Sequence, residues 1–216
     1  IGILFKARIR LRKDERIRFS MSYQYRILVD GRYMLVRSDT FDWYQPVGGK
    51  YKRLPESQSD FDKMRIGQDD RLPTSGRKEY DLAVLVPRNS AGDFMRWFRS
   101  QQGREISHFR EFYEELLGGD DPILPAKPFP YINYRFAGSI LTPLFRSPPE
   151  SGWHCWEVLR IDVLDLIPAP SQLDALRETM NQDDDRLIWA DAEQIHRQGY
   201  DVSKKGRSHR IAAHAK

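Results

Sequence analysis

Cysteine is almost missing from this chain. Cys155 is the single thiol in 216 residues, which excludes an internal disulfide and fits a reducing compartment. Flanked by Trp153 and Trp156, it reads as a small buried hydrophobe rather than a nucleophile. Long apolar runs are missing too. No stretch approaches the roughly 18 apolar residues that a membrane-spanning helix needs, and no signal-peptide pattern is present. No internal repeat is visible. Glycine (14) and proline (13) are unexceptional, which sets aside collagen-like and low-complexity classes. What remains, 40% apolar and 31% charged, is a globular chain long enough for one domain with a full core.

A uniform surplus of one charge is also lacking. Residues 1–18 carry seven Lys or Arg against Asp14 and Glu15, and residues 204–216 carry five and no acid. Each end is therefore +5, and a total of +4 leaves the body at −6 (4 − 10). An acidic body with two basic ends is not the footprint of a dedicated nucleic-acid binder, so no stable DNA or RNA partner is expected. The start has two readings. Ile1–Phe5 followed by Lys6, Arg8, Arg10, Arg12 and Lys13 resembles the cytoplasmic edge of a transmembrane helix. The same residues alternate as a strand, Phe5, Ala7, Ile9 and Leu11 against the cations. The expected division is 1–18 as basic juxtamembrane leader or first strand, 19–203 as the folded domain, and 204–216 as a basic tail.

Along the body, Phe19, Met21, Tyr23, Tyr25 and Ile27 alternate with polar residues as a strand. Asp30-Gly31 is a hairpin signal, and Arg32–Arg37 returns. Residues 51–78 are polar and unpatterned, a long loop. A buried strand follows over Tyr80–Val86, and Ser90 opens a helix with Phe94, Trp97 and Phe98. Four prolines between 122 and 130 make an extended connector. Residues 131–145 and 153–167 read as paired strands, and a helix begins at Ser171.

Two motifs carry chemistry. Arg110-Glu111-Phe112-Tyr113-Glu114-Glu115 places three carboxylates at i, i+3 and i+4, one face of a helix expected to start at Ser107. Oxygen donors of this kind suit Mg²⁺, Mn²⁺ or Ca²⁺. Upstream, Trp43-Tyr44-Gln45-Pro46-Val47-Gly48-Gly49-Lys50 is a tight loop whose glycine backbone can approach a phosphate or a metal closely.

Together these resemble the Nudix family, whose box has the core R-E-U-x-E-E, followed by a late Gly that falls here on Leu117, and is preceded by a W-x-x-P-G-G-K-like loop. The early Gly and Glu of that box fall here on Arg96 and Gln102, and Phe112 replaces its aliphatic residue. The resemblance implies an α/β fold, a Nudix-like α/β/α sandwich around a mixed curved sheet with insertions. It implies metal ligands at Glu111, Glu114, Glu115 and the Gly48 carbonyl, with Mg²⁺ or Mn²⁺ as cofactor. If the chain is active, those glutamates serve a Mg²⁺-dependent pyrophosphohydrolase acting on nucleoside diphosphate derivatives. Glu105 and His108 lie nearby as candidate bases.

From Phe19 to Gly199, with Leu187–Ile195 as a closing strand and helix, the pattern is similar to the SMODS-associated Nudix domains, Nudix-like sensors of membrane effectors in bacterial CBASS anti-phage systems. That similarity implies a cyclic oligonucleotide partner, homo-oligomerisation leading to membrane disruption, and a cytoplasmic domain of an inner-membrane protein anchored through segments before residue 1. Phosphates need cations or amides, and bases need aromatic faces. The candidate ligand contacts are Tyr44, Gly48, Gly49, Lys50, Tyr51, Lys52, Arg53 and Arg110.

Overall fold

The computed structural model describes residues 15–69, 79–147, 154–201 and 203–215. The strands are β1 Arg16–Arg26, β2 Leu28–Val29, β3 Arg32–Arg37, β4 Tyr44–Gln45, β5 Gly48–Lys50, β6 Gly67–Gln68, β7 Ala83–Pro87, β8 Tyr134–Leu141, β9 Phe145–Arg146, β10 Trp156–Leu166, β11 Leu187–Ala190, β12 Tyr200–Asp201 and β13 Gly206–Arg207. The α-helices are α1 Gln58–Met64, α2 Ala91–Ser100, α3 Phe109–Phe112, α4 Pro170–Thr179 and α5 Ala192–His196. Hydrogen bonding orders one sheet β6-β7-β1-β10-β8, with β5 on β1 and β9 on β10, and a second β11-β3-β2, with β4 on β3. The mixed α/β class expected from the Nudix resemblance is the class observed.

The chain divides into two compact units, a boundary not legible in the sequence. Unit 1 is Ile1–Tyr23, Lys50–Ser107 and Ser139–Asp162, and unit 2 is Gln24–Gly49, His108–Gly138 and Val163–Lys216.

In unit 1 the apolar face of β1 builds the core. Phe19 meets Phe94 of α2 edge-on at 5.0 Å, and Tyr23 meets Tyr51 at 5.0 Å. β1 pairs antiparallel with β7, Ile17 opposite Val86 and Phe19 opposite Val84. The polar face of β1 is not simply solvated. Arg18 is buried and bridges Asp69 at 2.6 Å and Glu157 at 3.0 Å. Residues 16–18 extend the strand expected from Phe19 toward the N-terminus; both readings of the N-terminal segment turn on residues 1–14, which lie outside the described residues. The polar stretch 51–78, expected as a loop, contains α1 and β6. Phe61 anchors α1 against Trp97 at 5.0 Å, a single apolar residue that periodicity could not reveal. Residues 70–78 lie outside the described part.

In unit 2 the Asp30-Gly31 signal is borne out. Both residues have positive φ (48° and 80°) and join β2 to β3 as a two-residue turn, Val29 opposite Arg32. The closing helix α5 starts with a capping box: the Asp191 side chain accepts from Gln194 N–H, and Gln194 Oε1 accepts from Asp191 N–H. The segment expected as a basic tail is partly folded in. Ile211 and Ala212 are buried, and Ile211 shares a small core with Leu35, Ala190 and Ile195. Basic neighbours hid two apolar residues that burial needs.

Candidate functional site

The carboxylate motif lies in unit 2, but not on the continuous α-helix expected. α3 ends at Phe112, and Tyr113–Leu117 is a π-helical turn closed by Gly118 N–H donating to Tyr113 O at 2.7 Å. The helix starts after His108, whose side chain makes no cap hydrogen bond. A π turn holds one residue more than an α turn, and here Phe112, Leu116 and Leu117 are all buried. The i, i+3, i+4 stripe is therefore broken, and each glutamate has its own surroundings.

Glu115 turns inward and accepts from Gly48 N–H at 2.8 Å. Burial, reinforced by Glu111, Asp39 and Glu114, pushes its carboxyl up to about 8, against the Gly48 hydrogen bond that favours the charged form. Glu111 accepts from Arg110 Nη1 at 2.7 Å, and Glu114 is 3.5 Å from the same nitrogen. The glycine pair is required here. Gly48 has φ 149°, a conformation L side chains rarely adopt. A β-carbon on Gly49 would lie 2.1 Å from Glu111 Oε1. So the structure brings together Gly48, Gly49, Arg110, Glu111, Glu114 and Glu115, although more than 60 residues separate Gly48 from Arg110 in the sequence.

As arranged, this donor set does not fit a divalent ion. Arg110 engages two of the carboxylates and a main-chain amide the third. Among the described residues, no group of three or more His, Cys, Asp or Glu side chains is gathered to hold a metal.

The other candidate ligand contacts are placed differently. Tyr44, also in unit 2, is structural: its hydroxyl donates to Asp185 O at 2.7 Å, and its backbone pairs with the C-terminal segment through Arg210 and Ala212. Lys50, Tyr51, Lys52 and Arg53 belong to unit 1. Tyr51 lies in the core at 2% exposure and donates to Asp162 at 2.8 Å. Burial, with Asp162 beside it, raises its phenol far above the usual range. That position does not suit a base-stacking surface. Lys52 pairs by backbone with Asp81 and Glu105. Arg53, at 9% exposure, is held between Phe61 and Tyr80, each ring centroid 4.9 Å from Cζ, and its Nε and Nη1 have no hydrogen-bond partner among the described residues. Of the two candidate bases, His108 Nδ1 is 3.0 Å from the Tyr134 hydroxyl, while Glu105 lies in unit 1.

Sequence reasoning missed Asp39, whose charge acts on Glu115, and Tyr134. Neither stands in a motif; only the fold brings Asp39 to act on Glu115 and Tyr134 to His108. Among the described residues, no helix is long and apolar enough to cross a membrane.

Neither a curated protein nor a solved structure matches the chain. One family model does, described as the SMODS-associated NUDIX domain, over residues 16–216. With almost its whole length covered, including the π turn, the glycine loop and the folded-in C-terminal segment, the chain belongs to the SMODS-associated NUDIX domain family.

Proposed function

We propose that this domain is a nucleotide second-messenger sensor that binds a cyclic oligonucleotide and does not hydrolyse it. Within a CBASS effector, ligand binding would promote self-association, and membrane-spanning segments outside the described residues would turn that into membrane disruption. The observation that carries the reading is the internal satisfaction of the carboxylates. Arg110 pairs with Glu111 and, at 3.5 Å, with Glu114, and Glu115, with its carboxyl raised to about 8, is largely protonated at neutral pH beside the Gly48 amide. A hydrolytic site needs charge held ready for substrate; here it is spent on the protein. Membership of the family supports the same reading.

A second reading, a Mg²⁺-dependent pyrophosphohydrolase, is favoured by one feature: Glu111 and Glu115 converge on Gly49 and Gly48, Glu114 adds its charge to Glu115, and relief of that repulsion by a cation would be favourable. It would require Arg110 to release Glu111 and Glu114. Calorimetric titration with cyclic di- and trinucleotides, with and without Mg²⁺, followed by recovery of the ligand, separates the two. Binding with intact ligand supports the sensor. Turnover of a nucleoside diphosphate derivative with no cyclic-nucleotide binding supports the hydrolase.

A further inference from the structure

Unit 2 contains a cleft of about 260 Å³ bounded by the second half of β1, β3, Pro46 and α5. Its apolar wall includes Leu35 and Ile195, both members of the small core that Ile211 completes, so the wall is held by packing before any ligand arrives. Pro46 opens the same loop that carries Gly48 and Gly49.

The lining also carries polar groups, Tyr33 and His196 among them, and two polar features bear on a nucleotide. Gln24 is 7% exposed and donates a long hydrogen bond from Nε2 to His214 O at 3.4 Å. A buried carboxamide is costly unless its donors and its acceptor are matched. It also presents donor and acceptor in one plane, the pattern that reads the edge of a heterocycle. The second feature is Arg26, which lines the cleft and ion-pairs with Asp165. Arg135 pairs with the same carboxylate at 2.8 Å. Two cations on one carboxylate leave a net positive charge beside the cleft, suited to a phosphate.

We infer that this cleft is a nucleobase subsite, holding one base of a nucleotide against Leu35, Pro46 and Ile195, with its edge read by Gln24 and its phosphate toward Arg26. The inference deepens the sensor reading and rests on it for the nature of the ligand. Apolar walls suit the faces of a base, while the carboxamide and the adjacent positive charge distinguish the site from one built for a purely apolar ligand.

The test uses methyl NMR of the whole chain titrated with adenosine, guanosine, cytidine and uridine 5′-monophosphates. The expected result is saturable shifts of the Ile195 and Met34 methyls with at least one of them. Ala192 lines the cleft and is exposed, so Ala192→Trp should fold normally and weaken that binding about tenfold or more. Absence of shifts at both methyls at millimolar nucleotide, or shifts unaltered in Ala192→Trp, would overturn the subsite. The cyclic-nucleotide titration is read separately. If cyclic ligands bind wild type and Ala192→Trp equally, the subsite falls and the sensor reading stands. If no cyclic ligand binds while mononucleotides shift the cleft methyls, the subsite stands and the sensor reading falls.

Discussion

Gly49 and Glu111 are in such close contact that any side chain at 49 must displace the glutamate: an added β-carbon would sit 2.1 Å from its Oε1. Moving Glu111 disturbs its ion pair with Arg110, which it meets at 2.7 Å. Gly49→Ala is therefore expected to destabilise the fold by about 1–2 kcal/mol, the worth of a charge-assisted hydrogen bond with partial relaxation. Urea unfolding measures it, and an unchanged midpoint would show that the glycine loop and the carboxylates do not touch as described.

Glu115 gives the fold a pH signature. Its carboxyl moves from an ordinary 4.5 to about 8 in the folded state. Between those values the folded chain holds a proton that the unfolded chain releases. The stabilisation is thus complete below about pH 4.5 and is lost as pH rises through about 8, by up to about 1.4 kcal/mol per pH unit. Glu115→Gln should flatten the difference and leave the variant relatively more stable than wild type at the alkaline end. Denaturation curves of both proteins at pH 5, 6.5 and 8 provide the check; parallel pH profiles would place Glu115 in water.

Arg18 is flanked by Asp69 and Glu157, all three buried. Removing the cation strands two carboxylates away from water, so Arg18→Ala should cost about 3–5 kcal/mol. Arg37, paired with Asp185 at 3.2 Å on an exposed surface, should cost less than about 1 kcal/mol when replaced by alanine. Equal losses by thermal or chemical unfolding would contradict the buried pairing.

Tyr51→Phe removes one of the donors to buried Asp162, which also accepts from Ser139 and Arg160. The expected cost is about 1 kcal/mol of stability with nucleotide affinity unchanged, because the ring lies in the core. A large fall in affinity at unchanged stability would return Tyr51 to the ligand surface.

How much of this was readable in advance follows from where each signal lives. The Asp30-Gly31 turn is set by neighbouring residues, so the sequence announces it. The alternation of β1 likewise marks the face that Phe19, Met21 and Tyr23 bury. The family was legible because Arg110–Glu115 and the glycine loop each survive as contiguous motifs. The π turn was not legible: it is settled by burying Phe112, Leu116 and Leu117 together, a demand of the surrounding core. Arg18 looked like one more cation in a basic leader because Asp69 and Glu157 stand 51 and 139 residues away. Ile211 was hidden among basic neighbours for the same reason: its partners Leu35 and Ile195 come from distant segments. Tyr51 and Arg53 read as candidate ligand contacts beside a lysine, while the fold gives their side chains to aromatic packing.

The central claim is that this Nudix-like domain reads a nucleotide rather than cutting one. Its most direct test is calorimetric titration of the chain with a panel of cyclic di- and trinucleotides, with chromatographic recovery of the ligand afterwards. Saturable binding of at least one, with the ligand recovered intact in the presence of Mg²⁺, is the predicted result. Cleavage of the bound ligand, or no binding alongside Mg²⁺-dependent turnover of a nucleoside diphosphate derivative, would contradict it.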